Sequence, residues 1–159
     1  MSAVARALQP SIVTLREADV GDCNRVWTWN NAPEVRASSR SPATIPLDTH
    51  RMWFAQRLTR TSCRMWIVEE DGIPAGVVRI DRITSLASAI SVVVAPEARG
   101  RGLGRRAIAL ACTHWERPLL AEIHPTNVAS QTCFASCGFV TAGMHEEFLR
   151  YLWLPKERT

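Results

Sequence analysis

The sequence predicts a single α/β domain in which helices flank a mixed, mostly antiparallel sheet. Three observations carry that prediction. Residues 65–69 and 75–80 are apolar, β-branched runs on either side of Asp71-Gly72, a dipeptide suited to tight turns, and so read as a hairpin. A third such run ends in Val92, Val93 and Val94, and a turn rich in glycine and arginine separates it from an amphipathic stretch that begins at Leu103. Strand and helix patterns alternate along 159 residues with no repeat, low-complexity tract or linker between them, which predicts one domain over 1–159.

The elements follow in order. Residues 12–16 alternate as a first strand. Residues 22–30 read as a helix with Val26 and Trp29 near one face, and Asn31-Ala32-Pro33 interrupts it. Pro33 opens a further turn through Val35 and Arg36, since its fixed φ suits a first helical position. Asp48 is expected to cap the next helical stretch, in which Phe54 and Leu58 stand at i, i+4 spacing. The hairpin comes next, then a small polar break at 85–88 and a strand over 90–94. A helix over 103–115 buries a stripe of Leu103, Ala107, Leu110 and Ala111, and Pro118 marks its end. Residues 119–124 form a strand. Asn127 or Thr126 caps a helix that runs to about Cys137, with Gly138 as the residue after its end. Phe139 begins a last pair of strands, the second over 148–154. The order is β-α-α-β-β-β-α-β-α-β-β, with residues 1–10 expected to be a flexible N-terminus.

Composition sets limits on function. Hydrophobic residues make up 47% and charged residues 21% of the chain, ordinary for a globular protein. The net charge of +4 favours anionic small molecules or a nucleic-acid surface without demanding either. A nucleic-acid binder is not expected, because no aromatic residues interleave with the basic cluster and no recognition motif accompanies it. Five cysteines with no C-x-x-C pair argue against a disulfide framework and for a reducing compartment. Cys133 and Cys137 share a helix face, but no His/Cys pair at zinc-ligand spacing joins them, so no metal is expected. Residues 1–7 lack the apolar core of a signal peptide and no run reaches membrane-spanning length, which points to the cytoplasm and to no membrane contact.

The chemistry concentrates in Arg99-Gly100-Arg101-Gly102-Leu103-Gly104-Arg105. Glycines let main-chain N–H groups turn onto one anion, and the following helix adds its positive end. That is a cradle for a pyrophosphate, with the arginines screening the remaining charge. Gly102-x-Gly104-x-x-Ala107 formally fits a dinucleotide fingerprint, yet residues 95–101 separate it from its strand, and no βαβ series precedes it. A Walker loop fails as well, since no Gly-Lys-Ser/Thr follows.

Arg99-x-x-Gly102-x-Gly104, followed by Asn127-x-x-Ser130, Phe134 and Gly138-Phe139, resembles the GCN5-related N-acetyltransferase superfamily over nearly the whole chain. The resemblance implies acetyl-CoA as co-substrate, a primary amine on a small molecule as acceptor, and a sheet whose two central strands splay to admit the pantetheine arm. Donor contacts are then implied for Val92, Val93, Val94, Arg99, Gly100, Arg101, Gly102, Leu103, Gly104, Arg105, Asn127, Ser130 and Phe134. Trp29-Asn30-Asn31, Pro33-Glu34-Val35-Arg36, and Ile45 with His50 and Trp53 look like acetyltransferases acting on nucleotide-linked amino sugars. Trp29, Asn30, Arg36, His50 and Trp53 are therefore implied at the acceptor. A protein N-terminal or small-amine acetyltransferase, or a non-catalytic acyl-CoA-binding module, is the alternative, and the state is a monomer or homodimer.

An alkyl ammonium with a pKa of about 10 must lose a proton before it attacks. Glu122, on the strand before Asn127, matches the catalytic glutamate of ribosomal-protein acetyltransferases in this superfamily. His50 is a second candidate, or else simply a polar residue in the first turn of its helix; His124 reads as a rim residue. A backbone N–H at Val92 or Val93 is implied to hold the oxyanion. Phe134 occupies the place of a tyrosine that protonates the departing thiolate in many relatives, leaving Ser130, Cys133, Tyr151 or a water for that task. Trp66 and Trp153 read as core, while Trp27, Trp29 and Trp53 belong to the region expected to cover the acceptor.

Overall fold

Seven strands form one sheet in the order β1-β2-β3-β4-β5-β7-β6. The computed structural model describes residues 9–157, so most of the N-terminal segment expected to be flexible lies outside the described residues. The strands are β1 Val13–Glu17, β2 Cys63–Glu70, β3 Ile73–Arg82, β4 Ser88–Val94, β5 Leu119–Ile123, β6 Val140–His145 and β7 Phe148–Trp153. Every neighbouring pair is antiparallel except β4 and β5. Between β2 and β3 both Asp71 and Gly72 take positive φ, as the expected two-residue turn requires.

Five helices cover the sheet: α1 Cys23–Asn30, α2 Pro33–Ala37, α3 Leu47–Thr59, α4 Leu103–Thr113 and α5 Val128–Ser136. Three of them precede β2 where two were expected, because the turn at Pro33 closes into a helix of its own, too short to show periodicity. Asp48 is not a cap. Pro46 holds that position, and the Asp48 side chain lies 95% exposed in the first turn of α3. Asp22 holds the N-cap position of α1 but makes no side-chain cap bond there. It ends a 3-10 turn, and its buried carboxylate takes two bonds from Arg16 at 2.9 and 3.0 Å. Asn127 caps α5 as expected, and Gly138 follows its end with a φ of 89°. Among the described residues no helix is long and apolar enough to cross a membrane.

Ile67, Val78, Ile80, Ala107, Ile108, Ala111 and Leu119 are fully buried and form the centre of the core. Helix α4 packs its Ala-rich stripe on β1, β3 and β4, while α1 and α3 lie against β2, β3 and β4. Gly76 lets β3 approach β4 closely, since a Cβ there would stand 2.6 Å from the Val93 carbonyl oxygen.

The parallel ladder between β4 and β5 stops almost at once. It joins only Ser88 to Leu119 and Ala89 to Leu120, whereas β5 pairs with β7 along its full length. Beyond the Ile90 N–H, which closes that ladder on the Leu120 carbonyl, the β5-facing edge of β4 is unpaired as far as Val94 among the described residues. Which groups that edge offers follows from the strand's alternation. Ser88 N–H points toward β5, to the Pro118 carbonyl at 3.1 Å, and Ala95 N–H points toward β3, to the Ala75 carbonyl at 2.8 Å. The register with β3 is regular in between. Val92 and Val94 thus present their N–H and C=O groups to the open side, with the Ile90 C=O beside them, and Ser91 and Val93 spend theirs on β3.

Candidate active site

The open edge of β4 leads into the glycine-rich loop. Gly100 and Gly102 have φ of 77° and 73°, and a Cβ at either would meet nothing within 4 Å. Conformation, not space, demands glycine here, and the same open space leaves the main chain accessible. Gly102 is the N-cap of α4 and supplies no side chain, so N–H groups of the first turn have no intrahelical acceptor. Gly104 lies beside the end of β4, its Cβ position 3.7 Å from Val94 and 3.5 Å from the Cys133 sulfur. Leu103 is buried, its side chain part of the core beneath the loop.

The loop's arginines already have partners. Arg99 donates Nε to the Val94 carbonyl at 3.3 Å and ion-pairs with Glu34 at the start of α2. Arg101 meets Glu70 at 2.6 Å, and Arg106 bonds the Ser11 carbonyl at 2.5 Å. Arg105 is exposed. Asn127 accepts from the Ser130 N–H at 3.2 Å, which makes it the α5 cap whatever else it touches. Phe134, implied as a donor contact, is 3% exposed and packs edge-on to Phe139 at 5.0 Å, inside the core. Tyr151 is buried on the same side of the sheet, its hydroxyl 3.4 Å from Gln131 Oε1.

On the opposite face, α1, α2 and α3 enclose a cavity of about 390 Å³ against β3 and β4. Asn30, Arg36, His50 and Trp53, implied at the acceptor by the resemblance, are among the residues that line it. Trp29 does not; it is buried in the core at 5% exposure. Trp27 and Asn31, neither of them on the cavity wall, both bond the Ile45 carbonyl, and Asn31 also accepts from the Ile45 N–H at 2.7 Å. Those two side chains fix one end of the loop 38–46. Arg36 fixes the other, donating to the carbonyls of Asn30 at 2.7 Å and Ser41 at 3.0 Å and to the Ser39 hydroxyl at 3.1 Å.

His50 is 1% exposed, stacked near Trp53 and Phe54, and its Nε2 donates to the Cys23 carbonyl at 2.9 Å. Burial lowers its pKa more than that bond raises it, so the ring is neutral. This places His50 on the cavity wall as a fixed element, with its Nε2 proton committed to the main chain.

Glu122 shares the cavity's face of the sheet. Ala89 pairs with Leu120, so Ser91 and Val93 on β4 and Glu122 on β5 all project to one side. Two guanidiniums and an imidazole surround its carboxylate. Arg150 donates at 3.2 Å, His145 at 3.1 Å, and Arg40 reaches it from the loop 38–46 while also pairing with Glu146. Partial burial pushes the carboxyl up, but Arg40, Arg150 and His145 outweigh it and hold it below the usual carboxylate range. Sequence reasoning missed this ring, and it missed Arg79 and Ser91 on the cavity wall. The pairing of Arg79 with Ser91 across β3 and β4 was the signal available, since register alone puts both on one face.

Comparison with known proteins settles the family. The model of the GNAT acetyltransferase domain matches residues 13–140. The chain belongs to the GNAT acetyltransferase family. No curated protein matches it in sequence. Its fold is similar to that of a domain from Methanocaldococcus jannaschii, with a TM-score of 0.79 at 18% identity over 90% of this chain and 98% of the other. It is also similar to the spermidine N-acetyltransferase of Vibrio cholerae solved with CoA and spermine, at a TM-score of 0.76 and 18% identity over 88% and 92%. Salmonella typhimurium yncA, solved with acetyl-CoA, gives 0.74 at 21% over 92% and 95%.

Within this GNAT domain, β4 separates two spaces. Its backbone edge and the α4 loop form a groove of N–H donors, and its Ser91 and Val93 side chains form part of the cavity floor. Among the described residues no group of His, Cys, Asp and Glu is arranged to hold a metal ion.

Proposed function

We propose that this chain is an acetyl-CoA-dependent N-acetyltransferase that acetylates a primary amine by direct attack while both substrates are bound. The observation that carries this reading is the unpaired edge of β4 running into the uncapped, glycine-rich start of α4. A main-chain groove that ends in a positive helix terminus suits a long amide-bearing arm with a pyrophosphate at one end. The bound thioester supplies the acyl carbon and a thiolate that leaves readily.

The chain's residues do the rest. The N–H groups of the α4 loop hold phosphate oxygens, with Arg99 and Arg101 as mobile counter-charges. Of the two residues expected to hold the oxyanion, Val92 is the one whose N–H faces the groove, because the Val93 N–H lies on the β3 side. Glu122 takes the proton that the ammonium loses, which frees the nitrogen lone pair to form the nitrogen–carbon bond; the tetrahedral carbon then expels the thiolate as the carbon–sulfur bond breaks, and the nitrogen's second proton passes to solvent. In the ring of Arg40, Arg150 and His145 it is a weak acceptor, so its strength as a base depends on Arg40 moving aside when the amine arrives. The departing thiolate draws its proton from solvent or from Tyr151, since Phe134 has none to give.

A nucleotide-linked amino sugar is the narrower acceptor that the sequence resemblance implies. Trp29 is in the core and Asn31 ties the loop 38–46, which leaves Asn30, Val35, Arg36, Ile45, His50 and Trp53 as the part of that resemblance lining the cavity.

The test uses the whole chain. Coenzyme A should raise the melting temperature, and acetyl-CoA with a panel of amines should release free thiol. Glu122→Gln should cut turnover by about 10²–10⁴-fold while leaving coenzyme A binding intact. Wild-type protein that binds coenzyme A and turns over no amine would be the acyl-CoA-binding module instead.

A further inference from the structure

The cavity between α1–α3 and the sheet carries an unbalanced charge. Arg36 and Arg79 line it, and no aspartate or glutamate is among its lining residues. Arg36 is half-buried, and all its hydrogen-bond acceptors are neutral: the carbonyls of Asn30, Ser41 and Ala43 and the hydroxyl of Ser39. A desolvated guanidinium without a carboxylate is costly unless a counter-ion arrives. Arg79 is only partly balanced. Its Nε meets Asp81 at 2.6 Å, but Asp81 also serves Arg57 at 2.5 Å, so one carboxylate is divided between two guanidiniums. Both guanidiniums lie over the Trp53 ring, with the Arg79 and Arg57 carbons 5.0 and 5.7 Å from its centre. Ser91, paired across the strands with Arg79, adds a hydroxyl on the same wall.

We infer that the acceptor amine carries an anionic oxygen group, a carboxylate or a phosphate, which Arg79 and Arg36 receive inside this cavity. The inference rests on the acetyltransferase reading and names the acceptor class within it. Arg79 commits only its Nε, to Asp81, so its terminal nitrogens can offer paired N–H donors to either anion, while Arg36, tied to the loop 38–46, adds its charge and one N–H. The anion held near Arg79 would leave the amine end to reach across the Ser91–Val93 floor toward the groove and Glu122. A polycation such as spermidine would instead bring its charges against Arg36 and Arg79, with no acid on the wall to receive them. The site therefore differs in charge from what the substrate of the similar Vibrio enzyme requires.

Matched amines distinguish the sources of the anion. Thiol release from acetyl-CoA is measured with alanine against alaninamide, with glucosamine 1-phosphate against glucosamine, and with spermidine. The member with the anion should have a kcat/KM roughly tenfold or more above its neutral partner in at least one pair, and which pair responds tells carboxylate from phosphate. Arg79→Gln should raise KM for the preferred anion by a similar factor with kcat and coenzyme A affinity little changed. Arg79→Lys should restore part of the loss, which guards against a variant that merely misfolds. Preference for spermidine or for both neutral partners overturns the inference and leaves the acetyltransferase reading standing. Binding of coenzyme A without thiol release from any amine overturns both.

Discussion

His50 shows how one residue's burial becomes a property of the whole chain. Its ring is enclosed and bonded to the Cys23 carbonyl, and burial holds its pKa below the ordinary imidazole value. Above the ordinary value of about 6.5 the ring is neutral in both folded and unfolded chains, and His50 adds no pH dependence. As pH falls below that value the unfolded chain takes up the proton first. Stability should then fall, by at most about 1.4 kcal/mol per pH unit, until the folded ring protonates as well. Urea midpoints measured between pH 7.5 and 5 should show this loss in the wild type and a flatter profile in His50→Gln. Equal slopes in the two proteins would mean that His50 is not held neutral. Glu122 stands at the other extreme, ionised throughout that range by the guanidiniums and imidazole around it. Neither condition was legible in the sequence. The residue types were visible as candidates, but the partners that set their charge come from segments 27 and 82 positions away.

At the scale of elements, patterns with enough repeats were readable and short or irregular ones were not. The β2–β3 hairpin, the amphipathic α4, and the cap and terminal glycine of α5 each rest on several consistent signals, and all stand as expected. Helix α2 has five residues and no buried one, so no periodicity betrayed it. Motif position alone implies a donor contact for Phe134, and no pattern announced its edge-on packing against Phe139 at the end of α5. Helix α2 also carries Glu34, whose pairing with Arg99 joins the acceptor-side helices to the donor loop. Arg99 must release Glu34 to serve a phosphate. An exposed pair of this kind contributes up to about 1 kcal/mol, so Glu34→Gln should tighten coenzyme A binding by up to about fivefold in calorimetry. Unchanged or weaker binding would show that Arg99 is not drawn from Glu34 to the cofactor.

The molecule as a whole is organised by the place where β4 and β5 part company. Alternation predicted the strands, but nothing local in residues 88–94 or 119–123 announces that the ladder ends after two pairs. The splay came from the family resemblance and was not derivable from pattern. Hydrogen exchange can test it directly. Val92 and Val94 amides, on the open edge, should exchange readily in the free protein and slow by an order of magnitude or more with coenzyme A bound. The Val93 amide, paired to β3, should be protected in both states. Equal protection of all three without ligand would mean that the edge is closed in solution.

The arrangement of β4 has a consequence for how this protein can change over time. What faces the groove is main chain, the same for almost any sequence that keeps the strand, while what faces the cavity is the side chains of Ser91 and Val93 with Arg79 beside them. Recognition of one substrate is thus written in peptide groups and recognition of the other in side chains of the same seven residues. Substitutions at the cavity face can alter acceptor choice without rewriting the donor's seat. New acceptor specificities are then reachable by single substitutions, each intermediate retaining its acyl donor.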